Sequence, residues 1–515
     1  MNTRTLFTRI FLLFLTVMMI LPLLVACGDG EDKTETGTKG GGEQNSAAGN
    51  GTGTSSGGGS SNPPPEEKPM KGYVFKAYVR SDKTRNPLYL CEDFMVESTK
   101  EDSLSFAVME RNSDIEDRFG CVIQKTDSNG DQYSEMETFY RGGIRYELSI
   151  VQTYYASGLL TSGLVQDFRK REFENTLHLD EDYYDQQCIE QMSLGNKLYF
   201  LSGDMNISPL DTAVVTLFNQ TMYEKYSDFE DPFKLVEEYR WTIETMLKYA
   251  KTATVASVDG GKPDVINNSS DTAGYFEYEY SPLFYFYASG ERISTMQDDG
   301  YPDITLRDSN RTTDVVMRLH ELLNVNRNRL PSGFNAVLRP SFNTGRVLFT
   351  DARLNEVRTQ FYVDDQVKYG ILPVAMFNEE QHAYYSGVYF EAYVHFWMLP
   401  TMIQDAEKAT TVIDAMAEYS AREDGVMDAY FRRTMELNAA PDSKSRDMLR
   451  LVRNSLVYDV ALIYDEDWGE FGVYLTGLDT SNDAAFASRV SASAVEQAMV
   501  KMDKWFAKIE NPKRP

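Results

Sequence analysis

The sequence predicts an α/β protein of two or more lobes. Strand-like apolar runs alternate with amphipathic helical segments through most of the chain, which favours parallel sheets covered by helices. About 440 residues follow the N-terminal segments, too many for one small core. No internal repeat interrupts the alternation.

The first segment carries Arg4 and Arg9, then an uncharged apolar run from Ile10 to Ala26, the layout of a secretory signal. The run closes on Leu24-Val25-Ala26-Cys27, with Gly28 following. Small residues ahead of a lone Cys suit a processing site better than a membrane span. The stretch resembles a bacterial lipobox. That resemblance implies a signal peptide over 1–26, cut before a lipidated Cys27, and several acyl chains, since one alone binds a membrane only reversibly. From Gly28 to Pro69 there is no aromatic residue and no aliphatic one larger than alanine. Such a segment cannot bury enough apolar surface to fold. As a coil it reaches about 35 Å, so residues 27–69 are expected to tether a domain above a lipid surface.

Beyond the tether, Tyr73 to Tyr78 and Cys121 to Gln124 are expected strands. Ser105 to Phe119 between them places Phe106, Met109, Ile115 and Phe119 at near-helical spacing. Ile144 to Gln152 and Lys197 to Leu201 are further strand candidates. Helices are expected over Thr221 to Tyr226, Trp241 to Lys251 with Thr242 as its cap, Thr313 to Leu323, Thr410 to Tyr419 and Ala494 to Ile509.

The net charge of −27 becomes two units more negative once Arg4 and Arg9 are removed, which makes nucleic acid and anionic lipid poor partners for the domain. Cys91, Cys121 and Cys188 are odd in number, so at least one thiol stays free. Their spacing matches no metal pattern, and they are expected as small buried residues or one bridge.

Little in the sequence suggests catalysis. The four histidines, His178, His320, His382 and His395, form no His-Glu-x-x-His, and no Gly-x-Ser-x-Gly elbow or phosphate loop follows a strand. Glu277 with Glu279, or Asp364 with Asp365, could be offered as a glycosidase pair. Among 78 acidic residues such neighbours arise by chance. Asp127-Ser128-Asn129-Gly130-Asp131 begins like a calcium loop but lacks the EF-hand's later positions, and reads as a polar turn. No enzyme activity, cofactor or metal is therefore expected.

Aromatic residues point elsewhere. Tyrosine numbers 32, with clusters at Tyr154-Tyr155, from Tyr275 to Tyr287, at Tyr384-Tyr385 and from Tyr389 to Trp397. Flat amphipathic faces stack on sugar rings while Asp, Asn and Arg bridge hydroxyls.

A run of motifs carries a family resemblance. Glu110-Arg111-Asn112 and Ile115 to Gly120 come first, then Gly195 to Tyr199 into Gly203-Asp204, Leu217-Phe218-Asn219, and Trp241-Thr242. Gly300-Tyr301-Pro302, Phe342 with Gly345 to Phe349, and Tyr369 to Pro373 follow in order. Together they resemble the family 1 extracellular solute-binding lipoproteins of Gram-positive bacteria, the sugar-binding components of ABC importers. Each motif is weak alone; their shared order over residues 105 to 465 carries the specificity. The aromatic stretch Ala392 to Leu399 departs from the family's pattern.

The resemblance implies a type II periplasmic-binding-protein fold: two α/β lobes, a hinge and a cleft that closes on ligand. Lobe 1 is expected over 70–205 plus 346–376, and lobe 2 over 206–345 plus 377–515. Crossings are expected near Asp204 to Asp211, near Arg346, and between Ile371 and Tyr385. Expected ligand contacts are Tyr154, Asp204, Asn219, Trp241, Tyr280, Arg353, Tyr385 and Trp397. The function implied is capture of a carbohydrate, an oligosaccharide first, for an ABC permease, by a monomer lipid-anchored outside the cell membrane. A sensor or surface-adhesion lipoprotein of the same fold is the alternative, and a surface glycosidase the third.

Overall fold

Asp102 and Gly120 delimit the first helix, Ser103–Phe119. The Asp102 carboxylate accepts the Ser105 N–H, and Gly120, at φ 73, takes the left-handed conformation that ends it. Its buried side chains, Leu104, Val108, Ile115 and Phe119, lie on one face against the first sheet. In that sheet Val74–Val79 pairs in parallel with Val122–Asp127 and with Leu148–Gln152.

This computed structural model describes residues 68–81, 91–96, 102–257, 263–265, 268–277, 280–306, 310–324, 340–361, 368–388, 394–476 and 490–515. The signal, Cys27 and nearly all of the tether lie outside them, as do Glu279, Asp364, Asp365, Tyr389 and Tyr393. Glu66–Pro515 form one compact unit. No helix among the described residues is long and apolar enough to cross a membrane.

The first sheet has five strands, ordered Val122–Asp127, Val74–Val79, Leu148–Gln152, His395–Pro400, Val165–Gln166. His395–Pro400 runs antiparallel to both its neighbours. The second sheet has four, ordered Tyr369–Pro373, Val214–Asn219, Val347–Arg353, Ala273–Phe276. Ala273–Phe276 and Val347–Arg353 are parallel, and Val214–Asn219 is antiparallel to both its neighbours. Strands buried on both faces explain the near-continuous apolar runs in each.

These pairings correct the expected lobe boundaries. Val347–Arg353 and Tyr369–Pro373, placed with 70–205 from the sequence, flank Val214–Asn219 in the second sheet, and His395–Pro400 belongs to the first. The chain leaves the first sheet over 201–213, as expected. It returns between Met376 and His395, and leaves again after the helix Ala406–Ser420, which packs on Ser103–Phe119. The helix Ser443–Arg453 then packs on Tyr369–Pro373. No crossing occurs at Arg346, whose carbonyl accepts the Ala273 N–H inside the second sheet.

Local expectations fare better. The helix Ile243–Ala253 starts where expected, the Thr242 hydroxyl accepting the Thr245 N–H. Lys197 to Leu201 is not a strand; Leu194 with Lys197 and Leu201 with Trp397 make isolated bridges. Cys91, Cys121 and Cys188 are buried free thiols. Asp131, at the end of the calcium-like stretch, caps the helix Gln132–Gly142 by accepting the Ser134 N–H.

Candidate ligand-binding cleft

The segment that leaves the first sheet passes through Gly203-Asp204, and close backbone approach fixes it there. The Asp204 N–H donates to the Tyr183 carbonyl at 2.9 Å, and Tyr184 bridges Gly203. A Cβ on Gly203 would sit 2.2 Å from the Tyr183 oxygen, so only glycine admits this contact. The Asp204 carboxylate is thereby turned into a cleft of about 370 Å³ whose walls include Tyr183, Asp185, Asn206, Arg453 and Tyr458. A second hollow of about 650 Å³ shares Asp204, Met427, Arg453 and Asn454 with it and extends past Phe431, Arg432 and Arg450.

Arg453, at the end of the helix Ser443–Arg453, donates through Nη2 to Asp204 Oδ1 at 3.1 Å. Its guanidinium also lies 5.0 Å from the Phe431 ring centre. Burial pushes the Asp204 carboxyl up to about 6; Arg453 opposes that rise and the charge of Asp185 adds to it. Asp185 is itself held: its carboxylate accepts the Cys188 N–H and the Tyr458 hydroxyl. The cleft thus joins carboxylates, a guanidinium, tyrosines and amides, groups that hydrogen-bond hydroxyls and stack on apolar ring faces. Among its described walls nothing forms a nucleophile with an adjacent base.

Of the eight residues singled out from the sequence, Asp204 alone lines these hollows. Tyr154, 64% exposed, stands on the turn after Leu148–Gln152, its ring edge-on to Tyr155 at 5.1 Å. Tyr280 precedes the helix Ser281–Ala288, and Tyr385 takes the Arg292 guanidinium over its ring at 4.8 Å. The other four are committed to the interior. Asn219 caps the turn Gln220–Tyr223 and donates to the Phe342 carbonyl. Trp241 Nε1 donates to the Pro373 carbonyl at 3.0 Å, and Arg353 pairs with Glu356 at 2.8 Å. Trp397 is fully buried, its ring 6.0 Å from that of Phe94. Buried groups with these partners offer a ligand no face. Arg453, Phe431, Asp185 and Tyr458 were missed. The signal for Arg453 was present, two cations closing an amphipathic helix, but it also reads as ordinary pairing with the helix dipole.

Two sheets joined by repeated chain passages, with helices packed around them, make this a periplasmic-binding-protein-like α/β fold. Solved structures of that fold match it across almost their whole length. A cyclic alpha-maltosyl-1,6-maltose binding protein from Arthrobacter globiformis matches at 10% identity, with 85% of this chain, 99% of that one and a TM-score of 0.55. An extracellular solute-binding protein from Staphylococcus aureus, in complex with maltose, matches at 12% identity, 86% and 100% coverage and TM-score 0.53. A family 1 extracellular solute-binding protein from Bifidobacterium longum subsp. infantis matches at 14% identity, 84% and 100% coverage and TM-score 0.50. No family model and no curated protein matches the sequence.

Proposed function

We propose that this protein captures an oligosaccharide outside the cell and delivers it to an ABC permease, without chemistry of its own. The observation that carries the reading is the cleft at the Gly203-Asp204 passage, where Asp204 and Arg453 meet beside aromatic walls. Support comes from the fold, shared with a cyclic alpha-maltosyl-1,6-maltose binding protein and with an extracellular solute-binding protein in complex with maltose. In this reading the protein is a monomer, and lipidation of Cys27 holds it at the outer face of the membrane on the tether.

Isothermal titration of the full chain against saccharides, from monosaccharides to linear and cyclic malto-oligosaccharides, tests it. Saturable binding by one saccharide class is expected, weakened at least tenfold, about 1.4 kcal/mol, by Asp204→Ala. Binding of peptides with none of saccharides would overturn the ligand class. Metabolic labelling with a tagged fatty acid tests the anchor: the label is expected on the full chain and absent from Cys27→Ser.

A further inference from the structure

Cys91, Asp93 and His395 come together although His395 lies 302 residues beyond Asp93. One donor atom of each lies within 4.8 Å of the other two, and all three side chains are buried. Cys91 Sγ stands 3.0 Å from Asp93 Oδ1, and His395 Nε2 stands 3.4 Å from Asp93 Oδ2. The other ring nitrogen of His395, Nδ1, is buried with no hydrogen-bond partner. Leaving such an atom unsatisfied is costly.

We propose that Cys91, Asp93 and His395 form a binding site for one divalent cation of intermediate softness, Zn2+ foremost. Thiolate, imidazole and carboxylate are zinc's protein ligands, and tetrahedral geometry at zinc's bond lengths separates its donor atoms by roughly 3.3–3.6 Å. The Cys91–Asp93 and Asp93–His395 separations lie close to that, and Cys91 and His395, within 4.8 Å of each other, would draw together around the ion. On binding, the Cys91 thiol gives its proton to solvent, and the cation neutralises the thiolate and carboxylate it joins. Three protein ligands leave a fourth position for water.

The frame around the three is fixed. Arg111 and Asn112, on the helix Ser103–Phe119, both donate to the Phe94 carbonyl next to Asp93. The Ile207 N–H donates to Asp93 Oδ2, and the His395 N–H to the Ser208 hydroxyl. Ile207 lies on the outgoing passage between the sheets, and His395 ends the returning one. A cation here would therefore tie both passages to the 91–96 segment.

Cobalt(II) and zinc(II) added to the reduced full chain provide the test. About one ion per chain is expected to bind, with a near-ultraviolet thiolate-to-cobalt charge-transfer band and the visible bands of a tetrahedral ion. Cys91→Ser and His395→Gln should each abolish the charge-transfer band, while Cys121→Ser and Cys188→Ser leave it intact. Zinc should raise the melting temperature of the wild-type chain. Absence of the band in the wild-type chain would overturn the site, and that reading needs no variant to fold. So would its persistence in Cys91→Ser, leaving the trio as a hydrogen-bonded hub in which the thiol donates to Asp93. Metal binding and saccharide binding are read separately, so either can fail alone.

Discussion

Asp204 and Arg453, 249 residues apart, meet at 3.1 Å where the chain passes from one sheet to the other. The partly buried carboxylate still sits above its ordinary value, because the Arg453 guanidinium, 37% exposed, returns less than burial removes.

That balance predicts a pH dependence. With the folded-state value raised to about 6, the unfolded chain releases this proton first as pH rises. Stability conferred by protonated Asp204 is therefore full below about pH 4 and is lost between about pH 4 and 6. A shift of that size corresponds to about 2–3 kcal/mol. Asp204→Asn should flatten the denaturation free energy over that window, measured by urea melts at several pH values. An unchanged pH profile would count against the burial of this carboxylate.

His178 should titrate in the same sense, at higher pH. Its Nδ1 lies 2.6 Å from Asp414 Oδ2, and that hydrogen bond, then the charge of Asp414, raises the imidazole above its ordinary value. The stabilisation is present below about pH 6.5 and is lost as pH rises through the folded-state value. Because the ring is half exposed, the effect should stay under about 1 kcal/mol. An imidazole NMR titration should give a midpoint above 6.5 that falls in Asp414→Asn.

Gly203→Ala should damage the cleft more than its size suggests. The added methyl would meet the Tyr183 carbonyl oxygen at 2.2 Å, and neither backbone can retreat without moving Asp204. Overpacking of this kind costs about 1–3 kcal/mol. Chemical denaturation should show that loss, and saccharide affinity should fall with it. An alanine variant of full stability and affinity would contradict the packing described.

The two central tryptophans should separate on substitution by phenylalanine. Both are fully buried, so each leaves a comparable void. Trp241 also donates to the Pro373 carbonyl, whereas Trp397 Nε1 has no partner. Trp241→Phe should therefore cost about 1 kcal/mol more than Trp397→Phe, measured by paired urea melts.

The contrast between those tryptophans also marks what was legible from sequence. Thr242 announced its helix because a cap and its N–H partner lie three residues apart. The strand Val347–Arg353 has partners in the sheet 74 to 139 positions away, which leave no mark on its own residues. The lobe boundaries failed for that reason. At the site, Asp204 was legible from the motif Gly203-Asp204, which follows Gly195 to Tyr199 where a crossing was expected. Aromatic density misled because Trp241 and Trp397 have the same composition as a sugar platform but face inward. Arg453 became recognisable only once the fold brought it opposite Asp204.

The position of His395–Pro400, inserted between Leu148–Gln152 and Val165–Gln166, sets the order in which the molecule can be made. As the chain emerges from a ribosome, the first sheet lacks an interior strand until residue 400 has appeared. Until then Leu148–Gln152 and Val165–Gln166 present unpaired edges. The N-terminal half must wait, unfinished, until residue 400 in the C-terminal half completes its sheet.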